Sequence, residues 1–305
     1  MLAAGDALTM KKKYVVDMNM LQAPELPQGI QADGEIDYII PNVAFLEMCK
    51  HDAFLSTMRQ ALQVFGDHAD RVHVTRSVGM CLGDEMRALR LTDGGNMLSD
   101  EQSEYGRRLI RDLLSGNMDS AAEIQRELDQ ARTVVLSADL NADDAKERAQ
   151  RYLSLIEKGL HADLQKALRS RRVSHEVFIA FTWVVACMYS RKWMCKEGRL
   201  SEAGARRFIR KKPLVLRYQF LVVRHTLLGF QSGSDISAMK PEKELNHQLD
   251  FDYVLTASYF DGLLSKDKRV NDAHADLTDV LGASPEALQA TVDAWFKELE
   301  AHHRR

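Results

Sequence analysis

Four acidic residues spread over about 250 positions each stand where a short apolar run ends or a helix begins. Asp17 closes Tyr14-Val15-Val16, and Glu47 lies in Pro41-Asn42-Val43-Ala44-Phe45-Leu46-Glu47. Asp250 lies in Asn246-His247-Gln248-Leu249-Asp250-Phe251-Asp252-Tyr253, and Asp267 closes Gly262-Leu263-Leu264-Ser265-Lys266. In an α/β fold the carboxyl ends of parallel strands and the neighbouring helix starts face one crevice, so carboxylates far apart in sequence can meet there. Such a group does not stay fully ionised alone, and the counter-charge that suits it is a hard divalent cation, Mg²⁺ or Mn²⁺. Phosphodiester hydrolysis is the chemistry this would serve, because such ions lower the pKa of an attacking water and relieve charge on the leaving oxygen. That scheme needs no general-base histidine, and the ten histidines form no recognisable pair in the sequence.

Each acid also has a plain structural use. Asp17 with Asn19 can end a strand and cap a helix, and Glu47 can pair with Lys50 or Lys13. Asp250 can be a helix N-cap, and Asp267 can belong to the charged turn Lys266-Asp267-Lys268-Arg269. The third acid has two claimants, since Asp250 and Asp252 both lie near the expected helix start and point to different faces. Asp250 is favoured because Tyr253, Val254 and Ala257 follow it at spacings that put an apolar stripe beneath it, with Asp252 as the alternative ligand.

In order and spacing these motifs resemble the PIN-like domain, the family of metal-dependent ribonucleases of bacterial toxin–antitoxin pairs and RNA-processing enzymes, here with a large central insertion. Asp17 matches the family's first acid at the end of strand one, with Asn19 two positions on, and Glu47 matches its second acid on the helix after strand two. The stretch from Leu249 to Lys268 is similar to the family's C-terminal signature, in which an acid opens a helix, a strand follows, and a Ser or Thr precedes a final Asp by two; here those are Ser265 and Asp267. The resemblance covers residues 11–80 and 240–285. It implies an α/β, three-layer core around a mostly parallel sheet, with Asp17, Glu47, Asp250 and Asp267 as catalytic metal ligands and Asn19 and Ser265 orienting ligands or substrate. The expected activity is metal-dependent endoribonuclease cleavage, in a toxin or phage-defence effector restrained by an antitoxin, by another regulatory protein or by its own insertion. Two other readings stay open: a catalytically weak RNA- or protein-binding module, and a structure-specific DNA nuclease.

The elements that must position these residues divide the chain into an N-terminal part of the core at 1–95, a helical insertion at 96–235 and a C-terminal part of the core at 236–305. Tyr14–Asp17, Tyr38–Ile40 and Arg71–Thr75 read as strands, and Asn42 and Phe54–Phe65 begin or hold helices. From Ser99, whose spacing to Gln102 suits a capping box, the pattern turns to long helices: one ending at Gly116, then Asp119–Val135, Ala142–Arg169, Ser174–Tyr189, Ser201–Arg210 and Leu214–Leu228, with Gly229 as the stop. Gln231-Ser232-Gly233-Ser234-Asp235 reads as the link back to the core, and Ser284-Pro285-Glu286 opens a final helix to His302 with a fraying tail.

Net charge is only −3 over 305 residues, which by itself does not point to nucleic acid. The average hides an asymmetry. Met97–Asp163 holds 14 acids to 9 bases, whereas Lys166–Arg224 holds 15 bases to 3 acids. Arg206, Arg207, Arg210, Lys211 and Lys212 crowd one helix end in a lobe that also carries Trp183, Tyr189, Trp193, Tyr218 and Phe220, a composition suited to RNA phosphates and unpaired bases. Trp183 lies in the apolar run and is expected in the core, so Trp193 is the expected exposed aromatic. The bland alternative is a pair of solvated helical faces of opposite sign. Cys49, Cys81, Cys187 and Cys195 have no zinc or disulfide spacing and read as reduced thiols of a cytoplasmic protein. The apolar run Val177–Tyr189 is too short to span a membrane and no leader is visible, so the expected setting is soluble, with homo-oligomerisation left open.

Overall fold

The computed structural model describes residues 11–50, 53–116, 123, 125–127, 129, 130, 141–170, 173–196, 199–232 and 239–303. Most of the expected helix Asp119–Val135, most of the Gln231–Asp235 link and the last two residues of the tail lie outside the described residues. The chain runs β1 (Lys12–Val16), α1 (Met18–Leu21), α2 (Glu25–Ala32), β2 (Ile36–Ile40), α3 (Asn42–Cys49) and α4 (Phe54–Leu62). A 3-10 segment, Gln63–Arg71, leads into β3 (Val72–Thr75), α5 (Val78–Ala88), α6 (Gly94–Met97), β4 (Leu98–Ser99) and α7 (Asp100–Ser115). Then come α8 (Ala142–Gly159), α9 (Ala162–Arg169), α10 (His175–Cys195), α11 (Glu202–Ile209) and α12 (Leu214–Ser232). Finally come α13 (Pro241–Ala257), β5 (Gly262–Leu264), α14 (Lys268–Gly282) and α15 (Pro285–His303).

The fold is α/β. Five strands among the described residues form one mostly parallel sheet in the order β4-β3-β2-β1-β5, with only β4 antiparallel. From β1 the chain steps outward to β2 and β3, then returns to lay β5 on the other side of β1, pairing Tyr14 with both Tyr38 and Gly262. That reversal is a topological switch point, where the carboxyl ends of neighbouring strands open a crevice. Asp17 directly follows β1, and Ser265 and Asp267 follow β5. A side chain at Gly262 would meet the Tyr14 ring 3.0 Å away, so glycine there lets the short edge strand lie close to β1.

Val15, Val16, Ile39 and Ile40 are fully buried, as continuous apolar strands covered on both faces should be. Together with Met58, Phe65, Leu109, Ile110 and Tyr253 they build a core around the sheet. A second core gathers Phe181, Trp183, Leu216, Phe220 and Leu277 with Trp295 of the last helix. Each core draws on elements from distant parts of the chain: α7 packs on β3, and α15 packs on α10. Elements on either side of residues 95 and 235 therefore share each core. Ser99 caps α7, accepting from the Gln102 amide at 3.2 Å, and Gly116 ends it with φ 67°. Gly229 does not stop α12, which continues to Ser232, and Ala142–Arg169 divides into two helices at Leu160. No helix among the described residues is long and apolar enough to cross a membrane.

Candidate functional site

β1 ends at Val16, and the next residue, Asp17, is 3 % exposed. Its amide donates to the Leu264 carbonyl at 3.0 Å, tying the end of β1 to the end of β5. Its Oδ2 accepts from the Ser265 hydroxyl at 2.5 Å. Burial pushes the Asp17 carboxyl above its ordinary pKa; the Ser265 hydroxyl and the amides of Asn19 and Met18 oppose this, and the charge on Asp267 adds to it. Ser265 is thus a hinge between two acids, since its Oγ also accepts from the Asp267 amide at 3.0 Å. Asp267 caps α14, taking the Arg269 amide at 2.7 Å and the Val270 amide at 3.3 Å.

Glu47 comes from α3, the helix that follows β2. Tyr253 donates its hydroxyl to Glu47 Oε2 at 2.6 Å, and Lys50 stands 3.9 Å from the other oxygen. Burial raises the Glu47 pKa against the effect of Tyr253 and Lys50, with Asp17 contributing in the same direction as burial. Asp250 projects from α13 and pairs with Arg269. Its pKa is raised to about 7, chiefly by burial; Arg269 opposes this, and the charges on Glu47, Asp17 and Asp267 reinforce it. Four carboxylates from four separate stretches of chain therefore stand close enough for the charges of the other three to disfavour the ionisation of Asp250.

One expectation about this group needs correction. Asp250 does not open a helix, because α13 starts at Pro241, about two and a half turns earlier. The cap signal was there in Lys240-Pro241-Glu242, with proline at the first helical position, upstream of the apolar stripe. Asp250 and Asp252 do face apart. The charge on Asp252 acts on Tyr218 of α12, whereas that on Asp250 acts within the acidic group. Asn19 is exposed on α1.

The basic residues lie elsewhere. Arg206, Arg207 and Arg210 line a cavity of about 680 Å³ with Arg191, Trp183 and Met188, and none of the four acids borders it. Arg210 also approaches Glu286 at 3.8 Å. Lys211 is exposed, but Lys212 donates to the carbonyls of Leu281 and, at 2.8 Å, Ala283, closing the end of α14 rather than facing solvent. Trp183 is 2 % exposed and Trp193 40 %, so Trp193 is the accessible aromatic. Cys49 and Cys81 are buried, Cys187 and Cys195 are half-buried, and none of the four forms a disulfide.

The histidines hold a grouping that the sequence analysis missed. His225 of α12 and Glu244 and His247 of α13 bring one ligand atom each within 4.8 Å of one another, which no three of the acids above do. Its visible trace was Glu244-x-x-His247, a helical i, i+3 pair; the third member is 19 residues away, across a helix boundary.

No protein-family model matches the chain, and neither a curated protein nor a solved structure is significantly similar to it.

Proposed function

We propose that the chain is a metal-dependent endonuclease acting on RNA, built on a PIN-like core, with Asp17, Glu47, Asp250 and Asp267 as its catalytic group. The observation that carries this reading is the convergence of those acids at the switch point of the sheet, where Asp250 is held near neutrality although Arg269 is beside it. A fold gains nothing in stability from gathering partly buried carboxylates, and perturbed acids in a strand-end crevice are a mark of function. The looser spacing of the acids suits Mg²⁺ or Mn²⁺, which keeps several waters and needs only one or two direct carboxylates. When bound, such an ion would supply positive charge at the scissile phosphate and lower the pKa of the attacking water. Asp17 and Glu47 would hold it, Ser265 would keep Asp17 oriented, and Asp250 would complete the site when deprotonated. The arginine-lined cavity of α10 and α11 offers phosphate contacts away from the acids, suited to the flanking strand of a longer RNA.

The Arg269–Asp250 pair and the use of Asp267 as a helix cap favour a second reading, a binding module whose acids are already satisfied internally. The test is cleavage of a mixed pool of labelled single-stranded RNAs, with flap DNA alongside, in Mn²⁺, Mg²⁺ or EDTA. The expected outcome is RNA cleavage that needs the metal and falls by at least about 10²-fold in Asp17→Asn, which keeps an oxygen to accept the Ser265 hydroxyl. RNA binding without cleavage in any metal would favour the binding module, and cleavage of flap DNA alone would move the substrate to DNA.

A further inference from the structure

The grouping on α12 and α13 lies outside the acidic site and has the donors of a different metal. We propose that His225, Glu244 and His247 bind one Zn²⁺ ion, which fastens α13 to α12. His225 Nε2 lies 3.0 Å and His247 Nδ1 3.7 Å from the same oxygen, Glu244 Oε2. Two donors about 2.0 Å from a tetrahedral zinc are separated by about 3.3 Å, so the two distances bracket what the ion needs. Two imidazoles and a carboxylate suit zinc better than Mg²⁺ or Ca²⁺, which favour all-oxygen surroundings.

A hydrogen-bonded ion pair accounts for only part of this arrangement. His225 and Gln248 satisfy the two Glu244 oxygens at 3.0 and 3.1 Å, but His247 Nδ1 is buried with no hydrogen-bond partner. Its side chain is only 8 % exposed and its ring lies edge to face with that of His225, centroids 5.1 Å apart, so the open nitrogen is aimed at the shared carboxylate. A buried donor or acceptor left unmatched is costly, and coordination would use it. His225, Glu244 and Gln248 border a cavity of about 20 Å³ with Tyr152, Tyr218 and Phe251. That is room for roughly one water as a fourth ligand and none for a substrate, so the ion holds helices together and does not perform catalysis.

The position gives the ion a mechanical consequence. Glu244 and His247 occupy the first half of α13, and the second half carries Asp250 and Tyr253, which reach the acidic group. Pinning the helix to α12 at one end therefore steadies the register of those two side chains at the other.

The test uses the full chain, stripped with a chelator and titrated with Zn²⁺ by calorimetry, with bound metal counted by plasma mass spectrometry. The expected result is about one tightly held Zn²⁺ per chain in the wild type and in Asp17→Asn. His247→Ala and Glu244→Gln should each weaken binding by more than about 100-fold, beyond the loss of an outer-shell partner. Should either variant fail to fold, Co²⁺ in the stripped wild type gives an independent readout, the visible absorption of a four-coordinate site with nitrogen donors. Equal Zn²⁺ binding in wild type, His247→Ala and Glu244→Gln, loss of the ion in Asp17→Asn alone, or a wild type with neither stoichiometric Zn²⁺ nor that Co²⁺ band would each overturn the proposal.

Discussion

At the scale of single residues, Asp250 carries the clearest measurable consequence. Its folded pKa of about 7 lies above the ordinary 3.8, so between roughly pH 4 and pH 7 the folded chain keeps a proton that the unfolded chain releases. The stabilisation linked to that proton is complete at the acid end of the window and is lost as pH rises through 7. Asp250→Asn removes the charge and hence the loss. Between pH 5 and pH 8 the variant is expected to gain about 1–3 kcal/mol on the wild type in metal-free buffer, as thermal or urea unfolding of both at the two pH values would show. A variant that lost ground over that range would mean that the Arg269 pair outweighs burial. The sequence carried much of this acidic group, because Asp17 and Asp267 sit beside strand ends and strand ends are readable from apolar runs. What it did not carry was the surroundings that set each acid's charge. Ser265, Tyr253 and Arg269 act on acids 248, 206 and 19 positions away.

Among the elements, α12 shows how a helix readable from periodicity can depend on a distant residue. Its start follows Pro213, and its first amides are met by Glu85 of α5, which is 1 % exposed. That carboxylate accepts from Leu214 at 3.0 Å, Val215 at 2.8 Å and Thr92 at 3.0 Å. A negative group at a helix N-terminus meets both the unpaired amides and the helix dipole. Glu85→Ala is expected to cost about 2–4 kcal/mol, since it strands two buried amides and the part-buried amide of Thr92, with Glu85→Gln intermediate because one accepting oxygen remains. Amide exchange in the first turn of α12 should rise in Glu85→Ala before exchange elsewhere, and unchanged exchange there would exclude the capping role. Local rules identified the caps that lie next to their helices, Ser99 for α7 and Ser201 for α11. They cannot identify a cap supplied from 129 residues upstream. β4 was missed for a related reason: at two residues it has no period, and only its pairing with β3 makes it a strand.

Across the whole molecule, α13 is the wall between the two cores. Leu245, Leu249, Tyr253 and Ala257 pack into the sheet core, while Val254 and Leu255 belong to the helical one. A helix buried on both sides has little amphipathic contrast, so its sequence pattern marks it as buried without saying against what. The same ambiguity hid the sharing of cores by α7 and α15, whose partners are set by chain return and not by local pattern. Two cores with one wall should not unfold independently. The three tryptophans, Trp183, Trp193 and Trp295, all lie on α10 and α15, so fluorescence reports the helical side, while amide exchange in β1 and β2 reports the sheet. Their urea midpoints are expected to coincide. Leu255→Ala, which empties a fully buried site on the helical face of α13, should lower both together by an amount corresponding to about 2–5 kcal/mol. If fluorescence moved and strand exchange did not, α13 would be a tether between separable units, and an ion bound at its first half could not steady the acids at its second.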